Sequence, residues 1–431
     1  MITFSRADNT PLARWWLTVD RWTLGALFIL VGCGYIMVLA ASPAVAERIK
    51  ASRELFILKQ LVFLALSLGI IVGVSMLPPR MVRRLALVGF AGALVATALT
   101  IVIGVETKGA QRWISIAGNR VQPSEFLKPC FALTTAWLIA GQRPAWRFRG
   151  TLIALGLFLV IAAILKKQPD VGMMAVIGAV FMIQLFISGI NLLWVGLGLS
   201  LAGGSGVLLY TLLPHVRRRF DQFMYGKGGN YQIEKVMEAF SGGGLFGRGA
   251  GEGQVKDSIP DVHADVVFAV VGEEFGLVVC VLVIGVFGFI VLRGLLRLMR
   301  EQDAFVVVAC TGLIAGFGLQ AMINLFSTLG MMPTKGMTLP FISYGGSSAV
   351  AVGLGMGMLL SLTRPRVRDA RREETRGGGD RGMEGRPSED RPRASRVQVD
   401  RASADRGVDW GTDRVRADRV HEPRVREEAA P

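Results

Sequence analysis

The feature that most constrains this chain is a series of apolar runs, each about as long as a helix needs to cross a bilayer. A hydrocarbon core of about 30 Å takes roughly 20 helical residues. Lipid also requires each segment to satisfy its own backbone hydrogen bonds. About ten runs can be read: near 23–43, 55–77, 85–104, 124–141, 151–165, 171–188, 192–213, 265–293, 304–328 and 346–363. The expected fold class is therefore all-α, a polytopic membrane protein with about ten transmembrane helices. The fifth and sixth runs are short, so they would tilt little or thin the bilayer. The first run follows Arg14 and Arg21 and exceeds a signal-peptide core, so it is expected to remain as an anchor.

A mean hydropathy of +0.46 agrees with this class. Cys33, Cys130, Cys280 and Cys310 lie in or beside apolar runs without a CxxC pair, and read as small packing residues. The three histidines are scattered, which argues against a zinc site. The net charge of +15 divides into +3 for the tail from Arg364 and +12 for the rest. That excess suits a membrane surface or a diphosphate-bearing lipid better than nucleic acid.

Three regions follow: a cytoplasmic segment 1–22, a membrane domain 23–363 and a tail 364–431. The tail is rich in Arg, Asp, Glu, Gly and Pro and is expected to be disordered and cytoplasmic. Within the membrane domain the long connection 214–264 is expected to be a large periplasmic loop. Its glycine cluster, Gly242 to Gly253, fits neither a Walker A nor a GxGxxG spacing and reads as flexible. Basic residues nearly balance between the two sides, so the positive-inside rule barely discriminates. With both termini inside, the polar motifs share the outer face, where basic charge suits an anionic lipid-linked substrate.

Three constellations could carry chemistry. Lys166-Lys167-Gln168-Pro169-Asp170 could grip a diphosphate, or its lysines could simply snorkel. In the run Asp261 to Glu274, Asp261 and Asp265 would share a helix face. Glu273 would lie roughly 80° round from Asp265, with Glu274 on the opposite side. Carboxylates at such a boundary can serve as general bases, or as helix N-terminal acids that complement the dipole. The third run, Met332 to Ser348, interrupts a helix with two prolines and repeated Gly and Ser, including Lys335 and Ser343. Broken backbone at membrane depth lines a cavity or is buried, while Gly345 to Ser348 could equally be a small-residue packing face.

Together, Lys108-Gly-Ala-Gln-Arg-Trp-Ile-Ser, Gln122-Pro-Ser-Glu125, Gln168-Pro-Asp170, Pro260-Asp-Val-His-Ala-Asp265, Gly272-Glu-Glu-Phe-Gly276 and Pro333 to Ser348 resemble the SEDS family (shape, elongation, division and sporulation). The match runs in order over about 20–363, and the Pro333-Thr-Lys-Gly run resembles the division branch more than the elongation branch. The resemblance implies a ten-helix glycosyltransferase that polymerises lipid II, an undecaprenyl-diphosphate-linked disaccharide pentapeptide, into peptidoglycan at the division septum. It implies residence in the bacterial inner membrane beside a class B penicillin-binding protein transpeptidase of the FtsI type and other divisome membrane proteins. Asp265 falls on the family's essential loop aspartate, as a base or a ligand of a divalent cation (Mg or Mn). Arg112, Trp113, Asp170 and Lys335 fall on other motif positions. The family's usual Pro-Glu-x-His-Thr-Asp departs here at Asp261 and Ala264. Lys166, Lys167, Arg112, Arg217 with its neighbours to Arg219, and Lys335 are candidate diphosphate contacts; Trp113, Asp170 and Ser343 complete the substrate-binding set. The rival readings are a lipid II flippase, for which broken helices and interfacial charge would also serve, and a division scaffold without chemistry.

Overall fold

The computed structural model describes residues 10–49, 53–107, 110–116, 118–141, 144–190, 192–212, 217, 220–221, 231–255, 266–332 and 337–365. The tail from 366 onward lies outside the described residues.

Each of the ten apolar runs is occupied by a helix. After a short α1 (Pro11–Thr18) come α2 (Arg21–Ile49), α3 (Arg53–Met76), α4 (Pro79–Ile103), α5 (Pro123–Ile139), α6 (Pro144–Lys167), α7 (Val171–Ile187) and α8 (Leu192–Leu212). Then follow α9 (Tyr231–Gly243), α10 (Val267–Leu298), α11 (Ala304–Thr328) and α12 (Gly346–Leu362). Among the described residues six of these are long and apolar enough to cross a membrane, and α7 and α12 are shorter apolar helices. The fifth predicted run is not short: α6 begins at Pro144 and has 24 residues.

Helix starts follow local chemistry. Thr10 caps α1 by accepting from the Ala13 N–H at 3.3 Å, with Pro11 at the first helical position. Asp170 caps α7 through Met173 N at 3.2 Å, and Asp303 caps α11 through Phe305 N at 3.0 Å. Prolines 79 and 123 open α4 and α5, where a missing N–H costs nothing.

The core gathers around α5, buried along almost its whole length against α4, α7, α11 and α12. Small residues let α12 lie directly on α3: Ser67 Oγ donates to the Ala349 carbonyl at 2.8 Å, and a Cβ on Gly353 would stand 2.4 Å from that hydroxyl. In the last turn of α7 Gln184 donates to the carbonyls of Ala132 (2.6 Å, α5) and Val308 (3.2 Å, α11) and accepts from Thr135 (2.8 Å). At one end of the bundle Asp20 takes two hydrogen bonds from Arg293 (2.8 and 2.7 Å), an ion pair with Arg297 (2.9 Å) and a hydroxyl from Thr23 (2.7 Å). There Arg364 also reaches the carbonyls of Ser75 (3.0 Å) and Met76 (3.3 Å).

Three local expectations need correction. The connection 105–123 is not an open loop but an antiparallel meander of β1 (Val105–Thr107), β2 (Ala110–Ile116) and β3 (Asn119–Val121), with Val105 opposite Trp113 and Ile114 opposite Val121. β-branched and aromatic residues in β2 and the left-handed turn at Gly118 (φ 76°) favour it. Secondly, the connection 214–264 contains α9, whose Val236, Ala239 and Phe240 pack on α10. Thirdly, the glycine cluster is not a slack loop. Its residues 244–255 fold as a hairpin against a break in α10 at Gly276, whose φ of 80° and ψ of 178° no helix contains.

Glu273 and Glu274 lie just before that break, and both are buried within the protein. Glu273 Oε1 accepts from the backbone N–H groups of Gln254 (2.7 Å) and Val255 (2.9 Å), and Glu274 Oε2 accepts from Gly251 N (2.8 Å). The two side chains do not point to opposite environments, because the hairpin wraps both. α10 begins at Val267; Asp261 and Asp265, expected on one helix face, lie outside the described residues.

Candidate functional site

The end of the bundle opposite Asp20 carries a polar cluster built from five separate stretches of chain. The meander supplies Arg112. Its Nε donates to the Gln168 carbonyl at 3.0 Å, Nη2 donates to the Pro169 carbonyl, and Nη1 stands 3.5 Å from Asp170 Oδ2. Gln168 is pinned beneath by its own amide, which donates to the Thr97 carbonyl at 2.7 Å. Burial pushes the Asp170 carboxyl above its ordinary value against the opposing pull of Arg112 and the Met173 N–H, and the nearby Glu125 adds to the rise.

α5 supplies the next layer. Glu125 and Lys128 form an ion pair at 2.7 Å, both nearly buried, and Lys128 Nζ also donates to Gln320 Oε1 of α11. Gln320 in turn donates to the Thr338 carbonyl (3.0 Å) and to Ser348 Oγ (3.2 Å), and the Thr338 hydroxyl donates to that oxygen at 2.8 Å. Below Glu125, Lys128 and Gln320 a cavity of about 40 Å³ continues between α5, α7, α11 and α12, walled by apolar side chains such as Phe131, Val180 and Phe317. A space this small lies far below the roughly 300 Å³ at which ligand pockets begin, so it marks loose packing beneath the polar cluster.

The predicted residues divide clearly. Arg112 and Asp170 come together, and Trp113 sits next to them on β2, half-buried and opposite Val105. Lys166 and Lys167 occupy the last turn of α6 with exposed side chains, at the rim. Ser343 is buried, and its hydroxyl accepts from Leu339 N at 2.9 Å, closing the turn before α12. Arg217 is engaged elsewhere, 3.6 Å from Asp221 and over the Tyr210 ring. Lys335 and Asp265 lie outside the described residues. The chain resumes after 333–336 at Met337 and Thr338, held by Asn324 and Gln320. Val255 and Val266, on either side of 256–265, are buried in one small cluster with Val38, Val236, Ala239 and Tyr344.

Sequence reasoning missed Lys128 and Gln320 as members of the cluster. Their signal was a lysine and a glutamine within otherwise apolar runs, and an ionisable or amide side chain at that depth needs a stated partner. The divalent-cation expectation rests on Asp265, which lies outside the described residues. Among the described residues no three His, Cys, Asp or Glu side chains converge, and Asp170 and Glu125 are already neutralised by Arg112 and Lys128.

A bundle of apolar helices, six of them long and apolar enough to cross a membrane among the described residues, with a charge-paired polar cluster at one end, defines an integral membrane protein. The family model described as "Cell cycle protein", covering FtsW, RodA and SpoVE, matches residues 21–367, and the chain belongs to that family. It is 42% identical over 366 residues to the probable peptidoglycan glycosyltransferase FtsW of Caulobacter vibrioides, covering 84% of this chain and 94% of that one. The corresponding protein of Alcanivorax borkumensis is 34% identical over 79% of this chain and 92% of its own length. These relatives make the family assignment one of the FtsW type, in agreement with the motifs. Among solved structures, one reported for the structural coordination of polymerization and crosslinking by a peptidoglycan synthase complex superposes with a TM-score of 0.67 and 27% identity, covering 82% of this chain and 99% of that one. The rod shape determining protein RodA of Thermus thermophilus superposes with a TM-score of 0.60 and 25% identity, covering 81% and 97%.

Proposed function

We propose that this protein is a peptidoglycan glycosyltransferase that polymerises lipid II at the division septum. The observation that carries the reading is FtsW-type family membership, joined to a charge-paired polar cluster at the motif-bearing end of the bundle. Asp265 acts as general base: it takes the proton from the 4-hydroxyl of the acceptor GlcNAc as that oxygen bonds to the anomeric carbon of the donor MurNAc. The bond from that carbon to the diphosphate oxygen breaks, and undecaprenyl diphosphate leaves. With so good a leaving group, positioning and charge stabilisation do most of the work. Lys166, Lys167 and Lys335 meet the diphosphate, while Arg112, spent on the 168–170 turn, shapes the cleft and leaves direct contact to others. A divalent cation ligated by Asp265 remains a separate proposal and enters no step here.

Both termini lie in the cytoplasm, the ten helices span the inner membrane, and a class B penicillin-binding protein crosslinks the strands. That partnership rests on a neighbour named as a synthase complex joining polymerisation with crosslinking. The flippase reading has less support, because the relatives this chain matches are named as peptidoglycan glycosyltransferases. The test is purified protein with labelled lipid II, read for glycan polymer on a gel. Polymer from wild type and none from Asp265→Asn is the expected result; an inactive wild type, alone and with the transpeptidase, would overturn the reading.

A further inference from the structure

The hairpin at Gly244–Val255 and the break in α10 share an arrangement of backbone hydrogen bonds that points to a two-state joint. In an unbroken helix the N–H of Leu277 would donate to the carbonyl of Glu273, and that of Val278 to the carbonyl of Glu274. Neither bond is made. The N–H groups of Leu277 and Val278 donate instead to the carbonyls of Gly244 (3.0 Å) and Leu245 (3.2 Å) in the hairpin. The carbonyls of Glu273 and Glu274 accept instead from Arg248 N (3.0 Å) and Gly249 N (3.0 Å) of the same hairpin. The hairpin has inserted its edge into two adjacent helical hydrogen bonds and satisfies all four groups that the break exposes.

We propose that α10 is a reversible joint with two forms: the broken form seen here, splinted by the hairpin, and a closed form in which the hairpin withdraws and the helix bonds from 277 to 273 and 278 to 274 form. The four α10 groups stay paired in both forms, so what opposes withdrawal is the burial of Val255 and the N–H groups that Glu273 and Glu274 hold. The other apolar side chains of the hairpin oppose it little, since Leu245 and Phe246 are already 60% and 82% exposed.

Two features hold the broken form. Gly276 tolerates its left-handed φ, and its Cβ would stand 2.4 Å from Gly247 N and 2.5 Å from the Leu245 carbonyl, so only glycine admits the splint. Glu273 clasps the far end of the hairpin with Oε1, while its buried Oε2 has no hydrogen-bond partner. The same carboxylate stands 3.8 Å from Arg248 Nη1 of the hairpin, so charge adds to the two N–H bonds that hold the broken form.

Hydrogen exchange on the full chain in detergent, read peptide by peptide, tests the joint. Gly276→Ala removes the conformation the splint needs and favours the helix. The hairpin peptide 244–255 should exchange at least tenfold faster, while the amides of Leu277 and Val278 stay as protected as in wild type. Glu273→Ala should give the same pattern from the other side of the contact, with Glu273→Gln between it and wild type, and α11 unchanged throughout. Loss of protection at 277 and 278 together with the hairpin would mean the helix does not close. A hairpin that stays protected in both alanine variants would mean it does not withdraw. Either result overturns the proposal.

Discussion

Arg112 on the meander and Asp170 at the head of α7 meet at 3.5 Å, and the same guanidinium holds the two carbonyls that precede Asp170. One side chain thus fastens the strand layer to the turn between α6 and α7. Arg112→Ala would leave a buried carboxylate without its cation and should cost about 2 kcal/mol, less than a fully buried pair because Arg112 is partly exposed. The pH sign follows from Asp170. Its folded value is raised, so its contribution to stability is complete at pH below the unfolded carboxylate value and is lost as pH rises through the folded one. Removing Arg112 raises that value further. The melting-temperature deficit of Arg112→Ala should therefore be larger at pH 7.5 than at pH 5, and an equal deficit would refute the assignment.

The opposite end should respond the other way. Although burial works to raise it, hydrogen bonds from Arg293 and Thr23 and the charge of Arg297 hold the Asp20 carboxyl well below its ordinary value of 3.8. The stabilisation from this clamp is complete above that ordinary value and is lost as pH falls through the lower folded one. Asp20→Asn should lower the melting temperature at pH 7, and the gap to wild type should narrow on acidification below about pH 4.

For the reaction itself, Asp265→Asn removes charge and basicity while keeping size. Polymerisation should fall by roughly a hundredfold or more, as for loss of a general base, with expression and insertion near normal. A helix-end acid would cost no more than about 1 kcal/mol of stability and leave activity intact. Glu274 is unsuitable as a control, because it is buried and holds Gly251 N at 2.8 Å. Glu238, exposed on α9 and paired only with Lys235 among the described contacts, serves instead as Glu238→Gln.

Orientation can be read by labelling. Ser241 lies exposed near the end of α9, at the same end of the bundle as the hairpin. With the four native cysteines replaced, Ser241→Cys should react with an impermeant maleimide in intact spheroplasts. Labelling only after lysis would reverse the topology.

A chain ending after Arg372 should insert and polymerise lipid II as the full chain does. The residues beyond it have too little apolar content, scattered among charges, to shape a membrane-embedded site. Loss of polymer from a well-inserted truncation would make the tail part of the machine.

The helices were legible because hydrophobic runs near 20 residues admit one solution in lipid, so that α3, α4 and α11 fall within a few residues of the runs read from the chain. Asp170 and Arg112 were legible as residues, but their meeting was not, since spacing along a chain says nothing about which turn a strand covers. The glycine cluster was misread because glycine marks both slack chain and close backbone approach. Only the partner surface decides: a Cβ on Gly247 would stand 2.2 Å from the Glu274 carbonyl. The meander was available in β2, whose Trp-Ile-Ser-Ile run has strand propensity, but its polar flanks read as a loop between long apolar runs.

Gln184 has a consequence for how the chain is made. Its two acceptors sit on helices synthesised at different times: Ala132 before α7, Val308 after it. When α7 leaves the ribosome its amide can find Ala132 and Thr135, but the second N–H has nothing to bond until α11 has entered the membrane beside it. The contact between α7 and α11 therefore closes late, after most of the bundle has been made, and a nascent chain arrested before Ala304 would carry a buried amide N–H without its Val308 acceptor.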